Sequence, residues 1–208
     1  MERLNSENSS TAQYMDIQVK RRQLRDIYED FEGKVDPFKK GALCKIGCTF
    51  CCTHFGNVDI ITLEGLIIHE WVDSLNVQER SDIRKKLTKN KEMKAKGAIS
   101  ICPFLKTDNT CGIYNIRPFS CRQLYSLKNC TEQGPTIHRK AVELAKLTTK
   151  RLQQLDVTGY SGHVSYILHL LDKPVFRKLY VSGGFNPREI MSFGKKHGII
   201  INRMVSNT

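Results

Sequence analysis

A chain of 208 residues, 40% apolar and 26% charged, carries enough material for one well-packed core and does not depend on disulfides for stability. No stretch approaches the roughly 20 apolar residues of a membrane helix, and "MERLNSENSSTAQ" has no apolar signal core, so the reading excludes a membrane role and expects a reducing cytoplasm. There, eight cysteines bind metal or do chemistry sooner than they pair, and a net charge of +12 favours an anionic partner, nucleic acid or an acidic protein face.

In chain order, residues 1–11 are polar, rich in Ser and Asn, and expected to be a disordered tail. Tyr14, Ile17, Leu24, Ile27, Tyr28 and Phe31 recur at helical spacing, which predicts one amphipathic helix over about 11–31, ended near Gly33, with Asp36-Pro37 as a turn. The cysteine run follows. Next, "NVDIITLEGLIIHEWVDSL" opens on a short extended piece. Thr62 is the expected N-cap of a helix burying Leu63, Leu66, Ile67 and Trp71.

Asn76 and Glu79 have capping-box spacing at the start of the next helix, which carries seven basic residues from Arg84 to Lys96. With no aromatic residues interleaved for stacking, that face is read as solvated in preference to a nucleic-acid stripe. After Gly97, "AISICPFL" and "CGIY" flank the polar turn "KTDNT" as two short strands, and Pro118 is expected as the first residue of a short helix. Helices are then predicted over 137–155, 161–171, 175–181 and 187–196, the last capped by Asn186.

No internal repeat and no βαβ alternation occurs. The expected fold class is mainly α: a helical domain with a small β-hairpin in a cysteine-rich metal-binding core. The boundaries are a tail over 1–11, a cysteine-cluster metal-binding domain with its N-terminal helix over 12–132, and a helical C-terminal segment over 133–208 packed on it.

"GALCKIGCTFCCTHF" places four cysteines within nine positions. A disulfide staple, a metal or iron–sulfur centre, and a set of reactive thiols compete as explanations. Adjacent Cys51 and Cys52 cannot readily pair, and closely spaced neighbours would compete for the same partners, which weakens the staple. Short CxxxC and CxxC spacings let one loop turn several sulfurs toward one ion. The CxxxCxxC spacing is also that of radical S-adenosylmethionine enzymes, but the repeating strand–helix pattern of their partial barrel is missing here. Low-pKa thiols beside Lys45 keep a thiol-based redox sensor open.

"CKIGCTFCC", "VDIITLEG" and "CPFLKTDNTCGIYNIRPFSCRQLYSLKNC" occur in order over about 41–132, and together they closely resemble the CxxCxxCC cysteine-cluster family, the YkgJ-like proteins. All eight cysteines fall on pattern positions. The resemblance implies chelation of zinc or iron and nominates Cys44, Cys48, Cys51, Cys52, Cys102, Cys111, Cys121 and Cys130 as the metal site. The expectation within that set is direct binding by Cys44, Cys48 and Cys51, joined by Cys121 or Cys111, with two centres if all eight take part. The cofactor is expected to be an iron–sulfur cluster (4Fe-4S) or zinc, with a slight preference for iron because eight sulfurs exceed one zinc site.

Arg117 and Arg122 flank Cys121 and are read as cofactor-binding partners that reach the sulfurs or nearby loop carbonyls. His54 is as well explained as a loop residue as a ligand. His69, His163 and His169 are read as packed or surface side chains, Tyr114 as hairpin core, and Glu64 as a helix-start residue acting through the dipole. No Ser/His/Asp set, P-loop or paired carboxylate is found. Whether the chain is an enzyme stays open between three readings: metal chelation alone, a metal-dependent enzyme such as a lysine N-methylase-like or redox enzyme, and a zinc-structured module for nucleic acid or another anionic partner.

Overall fold

The computed structural model describes residues 3–183 except 46, 57 and 131–133, with side chains from residue 17 onward. The predicted helix 187–196 and its Asn186 cap lie outside the described residues. The fold is mainly α, as the sequence leads one to expect.

Helix α1 (Arg3–Lys39) takes in much of the segment read as a tail and runs past both Gly33 and Pro37. Its apolar stripe explains the extension. Ile17, Leu24, Ile27, Phe31 and Val35 are all buried, and Phe38 continues the same face. A helix continues while it has a face to bury, and Pro37 sits in the last turn, where little helix remains to disrupt. The helix ends at Lys39, and Gly41, at φ +82°, takes the left-handed position just past it. This stripe packs against α6 (Arg139–Leu155), which offers Ala141, Ala145, Thr148 and Leu152 at matching helical intervals.

A second layer forms from α3 (Thr62–Ser74), α4 (Val77–Ala95), α7 (Val164–Leu171) and α8 (Pro174–Val181). Helices α3 and α7 approach closely at Gly65. A Cβ there would stand 2.6 Å from Ile167 Cγ2 and 3.0 Å from Leu171 Cδ1. Leu66, Ile68 and Val72 meet Ile167, Leu168, Leu170 and Leu171 in one apolar core. Asn76 caps α4 as its spacing predicts, its Oδ1 accepting the Glu79 amide at 2.9 Å. Thr62 is the first residue of α3, not its cap. Its hydroxyl donates to Tyr160 O at 3.0 Å and accepts the Tyr160 amide at 2.7 Å.

Two antiparallel strands close the fold: β1 (Asp59–Ile61) pairs with β2 (Ser161–His163), Ile60 opposite Gly162. The segment 161–163, expected to be helical, is therefore extended. The cysteine-rich hairpin is present in minimal form, with one antiparallel bridge between Leu105 and Cys111. Its turn is closed by Lys106 N–H to Thr110 O at 2.9 Å, with Asn109 at φ 64° and Asp108 accepting the Thr110 amide at 2.9 Å. Pro118 stands just ahead of α5 (Phe119–Arg122), one position earlier than expected.

Candidate metal centre

Four stretches deliver the sulfurs. Residues 42–45 and 47–49 bring Cys44 and Cys48, fastened where Leu43 N–H donates to Ser126 O at 2.8 Å. Helix α2 (Phe50–His54) carries Cys51 and Cys52. The minimal hairpin supplies Cys102 and Cys111, and Cys102 N–H donates to Cys52 O at 2.8 Å, stitching it to α2. Cys121 rides on α5. Cys130 follows a turn built on Ser126, whose Oγ donates to Lys128 O at 2.6 Å and accepts the Thr136 amide at 2.9 Å.

Seven of these cysteines, all but Cys130, line one cavity of about 400 Å³. Phe55 and Phe104 form apolar wall, Lys45 and Arg117 are the cations of the lining, and no carboxylate or histidine joins them. All eight cysteines are free thiols. Among the described residues, no three Cys, His, Asp or Glu side chains close on an ion-sized point; the sulfurs stand around the cavity wall.

Crowded sulfurs shift one another's titration. Burial pushes Cys51 up to about 12, and Cys130, Cys44, Cys52 and Cys48 add to it. Burial also raises Cys44, with Cys48 and Cys130 contributing. Burial likewise pushes Cys121 up to about 12, helped by Cys52 and Cys111, and Cys111 is raised by burial and by Cys52. Cys52 and Cys102 share a hydrogen bond: the Cys102 thiol donates, so Cys52 is held below the ordinary thiol range and Cys102 well above it. Cys52 also contributes to the rise at Cys51, so the sulfurs influence one another across α2.

The donor chemistry fits a thiophilic metal. Thiolates confined together and partly desolvated are costly without a cation, and a metal ion or cluster core supplies the opposing charge. An all-sulfur set with basic neighbours suits zinc or an iron–sulfur core and is wrong for a hard, oxygen-seeking cation.

The other predicted residues separate. Arg117 lines the cavity and stacks on Tyr114, 4.3 Å from the ring centroid, while its buried Nε has no hydrogen-bond partner. Arg122 instead takes the loop-carbonyl role, donating to Arg117 O at 2.8 Å and Asn115 O at 3.1 Å. It also pairs with Glu32 of α1 at 2.9 Å. Tyr114 is 52% exposed, so it is rim and not hairpin core. His54 stacks on Phe50 and meets Thr53 Oγ1 at 2.7 Å, outside the cavity lining.

His163 is buried, donating from Nε2 to Gly56 O at 2.8 Å, and desolvation lowers its pKa. His69 is buried between Asp73 and Asp172, each at 3.2 Å. His169 lies on α7 and does not line the cavity.

Two features escaped the sequence reading. Cys130 stands outside the cavity lining that gathers the other seven cysteines, Cys111 and Cys121 among them. Nothing local in "SLKNC" sets it apart from them. Glu64 does more than face a helix dipole: wholly buried, it accepts the Ile61 amide at 2.9 Å, the Phe119 amide at 2.7 Å and the Tyr28 hydroxyl. Burial raises its pKa against these three donors and holds Tyr28 protonated as one of them. Its position three residues after Ile61 signalled only the first contact.

These observations mark a cysteine-built metal-binding module. Residues 43–138 match the CxxCxxCC family model, described as "Putative zinc- or iron-chelating domain". No curated protein and no solved structure shows significant similarity to the chain.

Proposed function

We propose that the protein binds metal through its cysteine cluster, as an iron–sulfur cluster with ligands drawn from Cys44, Cys48, Cys51, Cys52, Cys102, Cys111 and Cys121. The gathering of these seven thiols around one cavity carries this reading. Iron–sulfur is favoured over zinc because seven sulfurs around one cavity of about 400 Å³ exceed the four ligands of a single zinc site. Such centres carry electrons, which makes redox work the leading function and a reducing cytoplasm the expected compartment.

Anaerobic purification with metal, sulfide and absorbance analysis tests this. The expected result is a brown protein with about four irons and matching sulfide per cluster. A colourless protein holding stoichiometric zinc would overturn the redox reading. A protein that holds neither metal would overturn chelation itself.

A second reading rests on α4. Arg80, Lys85 and Lys89 line an open groove with Val77 and Thr88, a surface suited to an anionic partner. Arg84 in the same groove is tied to Asp73 at 3.0 Å and Asp172 at 3.4 Å. Binding to RNA or DNA that weakens steeply with salt and is lost in a Lys85→Glu/Lys89→Glu variant would support it; no binding at low salt would remove it.

A further inference from the structure

We propose that the sulfur cavity also binds an organic carboxylate, gripped by the guanidinium of Arg117 with its apolar body against the cavity wall. The inference stands on Arg117 and that wall, and it does not depend on which metal the thiols hold.

Arg117 is held in place from several sides. Pro118, which follows it, keeps its backbone extended, at φ −56° and ψ 138°. Its carbonyl accepts Nε of Arg122 at 2.8 Å. Its guanidinium lies over the Tyr114 ring, 4.3 Å from the centroid. Stacking covers a face of the planar fork and leaves the edge, where the N–H groups are, for a partner. Tyr114 is 52% exposed, so this fork stands at the mouth of the cavity, within reach of solvent.

The edge is not satisfied by the protein. Arg117 Nε is buried without a hydrogen-bond partner, and no carboxylate lines the cavity. Two other arginines show the contrast. Arg122 pairs with Glu32 at 2.9 Å. Arg21 also has a buried Nε without a partner, but its Nη2 is already engaged by Glu70. A buried donor without an acceptor is costly, and an oxyanion that sets one oxygen on Nε and one on Nη matches the guanidinium edge. Ser120 adds a second donor: its Oγ is buried on the same wall without a nitrogen or oxygen partner. Its neighbour is the sulfur of Cys121, a weak acceptor.

The rest of the lining selects the ligand. Phe55, Val58, Phe104, Leu105, Ile113 and Leu124 are apolar and suit a hydrocarbon body better than a bare inorganic anion. Lys45 adds a positive charge to the lining, and no acidic side chain there opposes it. An apolar wall with a few polar groups that fix orientation is the general composition of a small-molecule site.

The test is isothermal titration calorimetry of the full chain, purified under anaerobic conditions with its metal content determined. The titrants are benzoate, its neutral counterpart benzamide, and inorganic phosphate. Benzoate is expected to bind at least about tenfold more tightly than either, since a charge-assisted fork adds to apolar contact. Arg117→Lys, which keeps the charge and loses the fork, should weaken benzoate about tenfold and leave metal content unchanged. Undiminished benzoate binding in Arg117→Lys, phosphate binding as tight as that of benzoate, or no benzoate binding at all would each overturn the proposal. Loss of metal in Arg117→Lys would also overturn it and give the guanidinium to the sulfurs. A parent protein without metal that still binds benzoate through Arg117 would support this proposal while overturning the chelation reading.

Discussion

Glu64 accepts the amide of Phe119 at 2.7 Å across 55 positions of chain. One buried oxygen thereby fixes the start of α5, two residues ahead of Cys121. The same carboxylate holds Ile61 and Tyr28, so α1, β1 and the sulfur-bearing helix share a single anchor. Arg122 reinforces it from above, lying 4.5 Å from the Tyr28 ring centroid and paired with Glu32.

Glu64→Ala strands three donors at once. Each buried group left without its partner costs about 1–3 kcal/mol, so a loss of about 3 kcal/mol or more is expected in urea unfolding. Glu64→Gln retains one acceptor and should lose less. Equal stability of Glu64→Ala and the parent would show that the anchor contributes nothing.

Asp156 predicts how stability depends on pH. Burial pushes its carboxyl up to about 7, against hydrogen bonds from the Tyr180 hydroxyl at 2.7 Å and the Leu63 amide at 2.9 Å. The folded pKa lies above the unfolded value, so the folded state binds more protons between the two. Stability should therefore fall as pH rises from about 4 to about 7, by on the order of 4 kcal/mol if Asp156 acts alone. Asp156→Asn should flatten that slope in denaturation curves taken across the same window. A slope unchanged in the variant would assign it to other groups.

Gly65 is the contact point of α3 and α7, with Ile167 Cγ2 2.6 Å from where a Cβ would stand. Gly65→Ala should cost about 1–3 kcal/mol by overpacking, more than the gain in helix propensity returns. Metal content should be unaffected, because neither Ile167 nor Leu171 lines the sulfur cavity. Urea unfolding together with metal analysis of the variant checks both statements.

Metal removal should act on part of the molecule. The α1–α6 and α3–α7 packings rest on aliphatic and aromatic side chains, whereas the segment 98–130 has one β-bridge and two helical stretches of four residues or fewer. A chelator should strip hydrogen-exchange protection from 98–130 while the four helices keep theirs. Uniform loss across all helices would mean that the metal supports the whole fold.

What the sequence discloses follows the range of the interaction. The Asn76 cap and Glu79 lie three residues apart, and the stripe of α1 repeats within each turn, so both are legible. The end of α1 is not: Pro37 and Gly33 are local stop signals overruled by Val35, which is wholly buried against distant residues. Residues 161–163 join a helical pattern yet are extended, because Asp59–Ile61 offers them a ladder. The eight cysteines are conspicuous as a group, but which of them share a cavity depends on which loop folds over which. No spacing rule separates Cys130 from the other seven.

The pairing of Ile61 with Ser161 has a consequence for the order of synthesis. Every cysteine lies upstream of β2, so all eight leave the ribosome before the strand that closes the fold exists. During that interval the thiols are attached to a chain whose β1 edge and Thr62 hydroxyl still lack their partners. Domains generally form as units once their chain is available. Completion of the cysteine-bearing region therefore awaits the arrival of residues 160–163.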